Sequence, residues 1–185
     1  LGRDATKAIQ SVLKQTYKNW ELIIVYDGIR AHPPWIPYDT RIREYSIPKK
    51  RHYPKGDIYQ WLVCPVNAIN YGLSKVRGAW IARIDDDDEW VPTHLEDMLS
   101  GPGEFKSAPI QIKGCGVHPY LFYNRIIGGV QSWLYRSYLK CFKCSKQSWR
   151  WRPGNNDIDL PKRMARAGVK MNYKTIRYQA NIWPR

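Results

Sequence analysis

Apolar positions between Asp4 and Thr16 recur at three- and four-residue steps: Ala5, Ala8, Ile9, Val12 and Leu13. That spacing predicts a helix, with Asp4 able to cap its start. From Glu21 to Tyr26 the pattern changes to a continuous apolar run, which predicts a strand, and Asp27-Gly28 is a turn at its carboxyl end. A loop with Pro33, Pro34 and Pro37 follows, then alternation from Arg41 to Ile47 that predicts a second strand. Lys49 to Gly56 is a basic loop broken by Pro and Gly. Pro65 to Val76 predicts a second helix, with Pro65 near its first turn and Ala68, Ile69, Leu73 and Val76 on one face. Gly78 stops it. Ala79 to Ile84 predicts a short buried strand, and Pro92 to Leu99 a short helix.

Strand and helix thus alternate through the first hundred residues, the rhythm of an α/β nucleotide-binding sheet. Gly101-Pro102-Gly103 marks a break. Beyond it, Ile110 to Tyr123 predicts one or two strands and Ser132 to Phe142 a helix. Asn155-Asn156-Asp157 opens a last helix in which Leu160, Met164 and Ala167 share a face and Gly168 is the stop. Pro161 sits awkwardly in its early turns. No internal repeat and no low-complexity segment occurs. The expected organisation is one domain over 1–185, with a nucleotide-binding half at 1–100 and an acceptor-side half at 101–185.

The run Ile81-Ala82-Arg83-Ile84-Asp85-Asp86-Asp87-Asp88-Glu89-Trp90 changes the picture from fold to chemistry. An apolar strand delivers five adjacent carboxylates to its carboxyl end, where ligands bind in open α/β sheets. Adjacent carboxylates repel each other, and a bound divalent cation relieves that. Oxygen-only ligands suit Mg²⁺ or Mn²⁺. The plainer alternative is a solvated acidic turn.

The chain has 185 residues, and 30 Lys and Arg against 16 Asp and Glu give a formal net charge of +14. That balance favours anionic partners: nucleoside diphosphates, acidic glycans, nucleic acid or an anionic membrane surface. No RNA-binding signature or long basic tail marks a specific nucleic-acid protein. No window approaches the roughly 18 apolar residues of a membrane span. Of Cys64, Cys115, Cys141 and Cys144, only Cys141-x-x-Cys144 has zinc-like spacing, and no second pair completes it. Thiols in a reducing cytosol are expected instead. The 13 Tyr and 9 Trp suit sugar stacking as well as ordinary core packing.

Three segments carry a family resemblance. Ala8-Ile9-Gln10-Ser11-Val12-Leu13-Lys14-Gln15-Thr16-Tyr17-Lys18-Asn19-Trp20-Glu21-Leu22-Ile23-Ile24-Val25 resembles the opening of family 2 glycosyltransferases, roughly "SVLxQTYxNxELIIVDDGS". Asn70-Tyr71-Gly72-Leu73, then Gly78, then Ile84 to Trp90 resemble the family's "NxGL…G…DxDD.W". Asn156-Asp157-Ile158-Asp159-Leu160 with Arg163 and Gly168 resemble its "(E/N)DxDLxxR…G". The resemblance implies a GT-A fold (an α/β, Rossmann-like mixed sheet flanked by helices), a nucleotide-sugar donor, a divalent metal, and inversion at the anomeric carbon. The acceptor would be a glycan or other hydroxyl compound, in glycan or polysaccharide synthesis. The expected location is the cytoplasm, with peripheral contact to an anionic membrane as an added option.

By the same resemblance Asp85-Asp86-Asp87 looks like the family's DxD. Asp87 would bind Mn²⁺ or Mg²⁺ bridging the donor diphosphate, and Asp85 would face the ribose or the metal's water shell. Asp88 and Glu89 have a weaker claim, as solvated residues or caps of the next helix, and Trp90 reads equally well as packing. Asp157 matches the general base that takes the acceptor proton; without the resemblance it reads as a helix N-terminal carboxylate stabilised by the dipole. Gly128-Gly129 matches a glycine position near acceptor and diphosphate, although an ordinary turn explains it too. Asp27 would contribute to the donor pocket. Tyr26 stands where the family often has an acid, and Ile69 where it often has an Arg; both weaken an assignment to UDP-linked donors. The family normally opens with a strand that this sequence lacks before Leu1, so an incomplete base pocket beside Tyr26 and Asp27, or another segment in that strand's place, is expected. Rival readings are a nucleotidyltransferase, a two-metal nuclease and a non-catalytic basic binding module.

Overall fold

The computed structural model describes residues 4–28, 36–48, 63, 65–108, 110–112, 116–118, 120–122, 125–127, 129–145, 147, 156–173 and 181–182. The basic loop 49–56 and most of the Pro-rich loop lie outside that set.

Helix α1 (Thr6–Leu13) has Ala5, not the expected Asp4, at its N-cap, with no side-chain cap; Asp4 Oδ1 accepts the Thr6 N–H at 2.9 Å from one residue further out. Strand β1 (Leu22–Asp27) pairs in parallel with β2 (Ile42–Ile47), Leu22 opposite Ile42 and Asp27 opposite Ile47. Helix α2 (Val66–Lys75) crosses β1 at close range. A Cβ on Gly72 would stand 3.4 Å from Val25 Cγ2, so the missing side chain sets how near the helix lies to the strand. Glu21 ties the next turn to this layer. Its Oε1 accepts the Arg77 and Gly78 amides at 2.6 and 2.9 Å, and its other oxygen pairs with Arg43. Burial pushes the Glu21 carboxyl up, but these donors outweigh it and leave its pKa below the ordinary value.

The chain continues through β3 (Trp80–Ala82), β4 (Asp88–Glu89), α3 (His94–Leu99) and β5 (Phe105–Ser107). Then come β6 (Ile110–Ile112), β7 (Gly116–His118), β8 (Tyr120–Phe122), β9 (Arg125–Ile127) and β10 (Leu134–Arg136). Helix α4 (Asn156–Arg166), β11 (Met171–Tyr173) and β12 (Asn181–Ile182) complete the described elements. A mixed sheet runs β11-β5-β10-β3, with β10 antiparallel to both neighbours and β11 parallel to β5. A second four-stranded sheet runs β4-β12-β6-β7, and β8 and β9 form a separate hairpin pair. Among the described strands, β1 and β3 each pair on one edge only. The main core joins α2, the β11-β5-β10-β3 sheet and α4 through Val66, Leu73, Ile81, Phe105, Trp133, Tyr135, Leu160 and Met164.

Three sequence expectations need correction. Ser132 to Phe142 is not an α-helix: a 3-10 turn (Val130–Ser132), strand β10 and a second 3-10 turn (Ser137–Cys141) replace it. Trp133, Leu134 and Tyr135 are all buried, because β10 is an interior strand covered on both faces. Such a strand shows no alternation, and its apolar run reads equally well as helix. The strand expected over Ala79 to Ile84 ends at Ala82, two residues before the acids. Ile110 to Tyr123 holds three short strands rather than one or two.

Gln15 joins α1 to α3 and is fully buried. Its Nε2 donates to the Ser11 and Val91 carbonyls at 3.0 and 2.8 Å, and its Oε1 accepts the Leu95 N–H at 2.9 Å. Thr16 adds an N–H bond to the Pro92 carbonyl at 2.8 Å. Gln15→Leu fits the space but strands the Val91 carbonyl and the Leu95 amide. The expected cost in urea unfolding is about 2–4 kcal/mol, from roughly 1–3 kcal/mol per buried unpaired group. A change within about 0.5 kcal/mol, the range of an ordinary surface substitution, would show that this link does not hold the two helices together.

Candidate active site

The acidic segment leaves β3 as a turn closed by the Asp88 N–H on the Asp85 carbonyl, 3.2 Å. Arg83, next to the strand end, donates Nη2 to Asp85 Oδ1 at 3.0 Å. Asp86 is exposed, Asp85 and Asp87 are half-buried, and Asp88 is 2% exposed. The reason is β4: Asp88 and Glu89 pair with β12, and Asp88, two residues before buried Trp90, turns inward with it. The structure therefore corrects the expectation that Asp88 is solvated or caps a helix. Burial is the main force that pushes its carboxyl up, to about 8. Asp85 and Asp87 add to the rise, Arg83 opposes it, and Asp86 adds a little more. Asp88 Oδ1 has no hydrogen-bond partner among the described residues.

Trp90 fixes this segment to the turn that follows Gly129. Its Nε1 donates to the Gln131 carbonyl at 2.7 Å, and its ring stacks on His94 at 4.5 Å. A Cβ on Gly129 would stand 2.5 Å from Gln131 Oε1, so that space belongs to the Gln131 side chain. The Gly129 carbonyl accepts from the Ser132 amide and hydroxyl at 2.9 and 2.8 Å. The acidic turn and the Gly129 turn are thus neighbours, while Gly128 lies outside the described residues. Asp27 is the last residue of β1, in the other sheet; Gly28 follows at φ 110° and donates its N–H to the Ile47 carbonyl at 3.0 Å. Only a residue tolerant of that φ closes this turn cheaply. Asp157 is the second residue of α4, with its side chain outside the described part. Pro161, four residues on, has no N–H to return to the Asp157 carbonyl.

His94 is fully buried, and burial pushes its imidazole down to about 3. An unfolded histidine takes up its proton near 6.5. Stability is therefore complete above about 6.5 and is lost progressively as pH falls toward 3. His94→Leu should abolish that loss. Between pH 7 and 5 the wild-type chain should lose about 2 kcal/mol more than the variant in chelator-treated melts. The comparison removes the contribution of Asp88, whose raised value works the other way, weakening the fold as pH rises toward 8. Equal pH slopes for the two proteins would refute the buried neutral imidazole.

Among the described residues no three His, Cys, Asp or Glu side chains converge to enclose an ion. Cys141 is exposed and Cys144 is buried, and neither is in a disulfide. The acidic turn nonetheless fits a hard cation of a particular kind. Mg²⁺ and Mn²⁺ at phosphate sites take one or two carboxylates and complete their shell with phosphate oxygens and water. Half-buried Asp85 and Asp87, beside a carboxyl whose proton affinity its neighbours raise, could supply such a partial shell. Sequence reasoning undervalued Asp88; the available signal was its two-residue spacing from Trp90, which puts both on one face of a strand.

A family model described as glycosyl transferase family 2 matches residues 64–102, from the start of α2 through the acidic turn and α3. The chain is 33% identical over 154 residues to the putative colanic acid biosynthesis glycosyl transferase WcaA of Escherichia coli strain K12, covering 71% of this chain and 53% of that protein. It is 32% identical over 97 residues to WfgD of Escherichia coli, a UDP-Glc:alpha-D-GlcNAc-diphosphoundecaprenol beta-1,3-glucosyltransferase, covering 50% of this chain and 33% of that one. The chain thus spans about half or less of the length of these curated relatives. Among solved structures, Staphylococcus aureus TarS superposes with a TM-score of 0.69 at 11% identity, over 98% of this chain and 34% of that one. TarS 1-349 in complex with UDP-GlcNAc superposes with a TM-score of 0.61 at 11% identity, over 98% of this chain and 55% of that one. With the acidic turn after β3, the matched segment and this fold in agreement, residues 64–102 resemble glycosyl transferase family 2 and the chain has the GT-A fold.

Proposed function

We propose that this chain carries the catalytic centre of a metal-dependent, inverting glycosyltransferase that moves a sugar from a nucleotide-sugar donor to an acceptor hydroxyl in glycan or polysaccharide synthesis. The carrying observation is the acidic turn Asp85–Asp88 at the carboxyl end of β3, in a family 2 segment. Asp87 and Asp85 would hold Mn²⁺ or Mg²⁺. When bound, the ion neutralises charge on the departing diphosphate. Asp27 and Asp86 would line the donor site, with Gly128 and Gly129 near the diphosphate and acceptor. Asp157 would take the acceptor proton as the acceptor oxygen bonds to the anomeric carbon. The bond from that carbon to the diphosphate breaks from the opposite face, and its electron pair leaves with the nucleoside diphosphate.

WfgD is named for a UDP-glucose donor and a diphosphoundecaprenol-linked acceptor, and TarS has been solved with UDP-GlcNAc. These names support UDP-sugars as the first donors to test, despite Tyr26 and Ile69. No helix among the described residues is long and apolar enough to cross a membrane. The net charge of +14 supports peripheral contact to an anionic lipid surface in the cytoplasm as part of this reading, and the lack of an RNA-binding signature argues against specific nucleic-acid binding. The test is a calorimetric screen of UDP, GDP, CDP and dTDP sugars with and without Mn²⁺. One nucleotide class should bind preferentially and only with metal. Binding of none would overturn the proposal.

A further inference from the structure

The segment Lys143–Cys144 is gripped from two helices. On the α2 side, Asn70 Nδ2 donates to the Cys144 carbonyl at 2.9 Å, and Asn70 Oδ1 accepts the Cys144 N–H at 2.9 Å. On the α4 side, Arg163 Nε donates to Asp159 Oδ2 at 2.8 Å and Nη2 donates to the Lys143 carbonyl at 2.7 Å. The Cys144 side chain is buried with Val66 of α2 and Leu160 and Met164 of α4. The Asn70 and Arg163 bonds to this segment span 74 and 20 positions, so they set tertiary position, while the Arg163–Asp159 pair lies within α4 and holds the guanidinium in place. Helix α2 rests on β1, which ends at Asp27, and α4 carries Asp157 two residues before Asp159.

We propose that Asn70 and Arg163 are positioning residues that act through this shared segment, holding the start of α4, and with it Asp157, in fixed relation to the nucleotide side of the site. The inference rests on the assignment of Asp157 as the base. A carboxamide that pairs with both the N–H and the C=O of one residue fixes its orientation as well as its distance. A guanidinium fork spans two acceptors in one plane, which an ammonium on a single point cannot do. Displacement of a reacting group by about 1 Å can cost on the order of 10²-fold in rate. Partial release of the clamp should therefore show in turnover before it shows in donor binding.

The test uses Arg163→Lys, which keeps the charge beside Asp159 but cannot reach both acceptors, and Asn70→Asp, which keeps the acceptor and loses the donor. Hydrogen exchange of the free protein should rise over 143–147 and 156–160 in each variant and stay unchanged in α1 and β1. Turnover with the sugar nucleotide selected by the donor screen should fall roughly tenfold, with donor KM within twofold. Because both residues act on one segment, the double variant should lose no more turnover than the worse single one. Unchanged exchange over 156–160, losses that multiply, or a rise in donor KM matching the loss in kcat would each overturn the clamp. If one variant does not fold, the other decides by exchange and by the kcat-to-KM split. Asp157→Asn, run alongside, separates the two ideas. Full activity in that variant removes the base assignment while the exchange result still judges the clamp; an inactive Asp157→Asn beside fully active clamp variants removes the clamp alone.

Discussion

Asp157→Asn should lower sugar transfer about 10²–10⁴-fold, the usual cost of losing a positioned general base, with donor affinity within twofold. Asn keeps the size of the side chain and its ability to accept a hydrogen bond, and loses basicity. The position suits the role. Asp157 lies in the first turn of α4, a helix anchored in the main core by Leu160 and Met164, so its backbone is placed by packing rather than by a loop. The competing account makes Asp157 a carboxylate that complements the helix dipole. That effect is worth about 0.3–1 kcal/mol of stability and does not touch the rate of proton transfer. Single-turnover rates and thermal melts of the same variant separate the two. A large fall in rate with a small change in melting supports the base, and a normal rate with a lowered melt assigns Asp157 to the helix alone. The acid limb of the pH–rate profile gives a second check, since it should disappear in the variant.

How far the sequence reveals this arrangement depends on whether a feature is local. Helices α1, α2 and α4 were legible because each buries one face, with Pro65 opening α2 and Gly168 closing α4. Strand β1 was legible as an apolar run ended by Asp27-Gly28. Strand β10 was not, because Trp133, Leu134 and Tyr135 are covered on both faces and leave no period to read. The acidic turn was legible as a candidate site from charge and position, but its inner structure was hidden. Four consecutive aspartates look alike in a sequence, whereas pairing of β4 with β12 sends Asp86 to solvent and Asp88 into the interior. That burial costs less than it would for an ion because the carboxyl stays protonated near neutral pH. The Asn70–Cys144 bonds span 74 positions. Nothing in the local pattern of either residue points to the other, so the clamp was not legible at all.

Asp87→Ala should abolish the metal-dependent part of nucleoside diphosphate binding. The diphosphate and the acidic turn are both negative, and in chelator they repel one another across the site. A divalent ion held between them reverses that sign, so affinity should rise steeply with Mn²⁺ or Mg²⁺ in the wild-type chain. Because the described carboxylates do not close a cage by themselves, the ion should bind weakly alone and tightly with the diphosphate. The two ligands should therefore show positive coupling, each raising the affinity of the other by the same factor. Removing an outer-shell partner of a metal typically costs about 10–100-fold; loss of a direct carboxylate should cost at least about 100-fold in the coupled term. Asp85→Asn should cost less, since Arg83 already engages that carboxylate and it is assigned to the ribose or the metal's water shell. Calorimetric titration of UDP, GDP, CDP and dTDP into each protein, with Mn²⁺ and with chelator, reads the coupling directly. If the wild-type chain binds its preferred diphosphate equally well in both conditions, the acidic turn does not hold the metal. If Asp87→Ala retains the full enhancement, the ion rests on another of the four aspartates, and half-buried Asp85 becomes the first to replace.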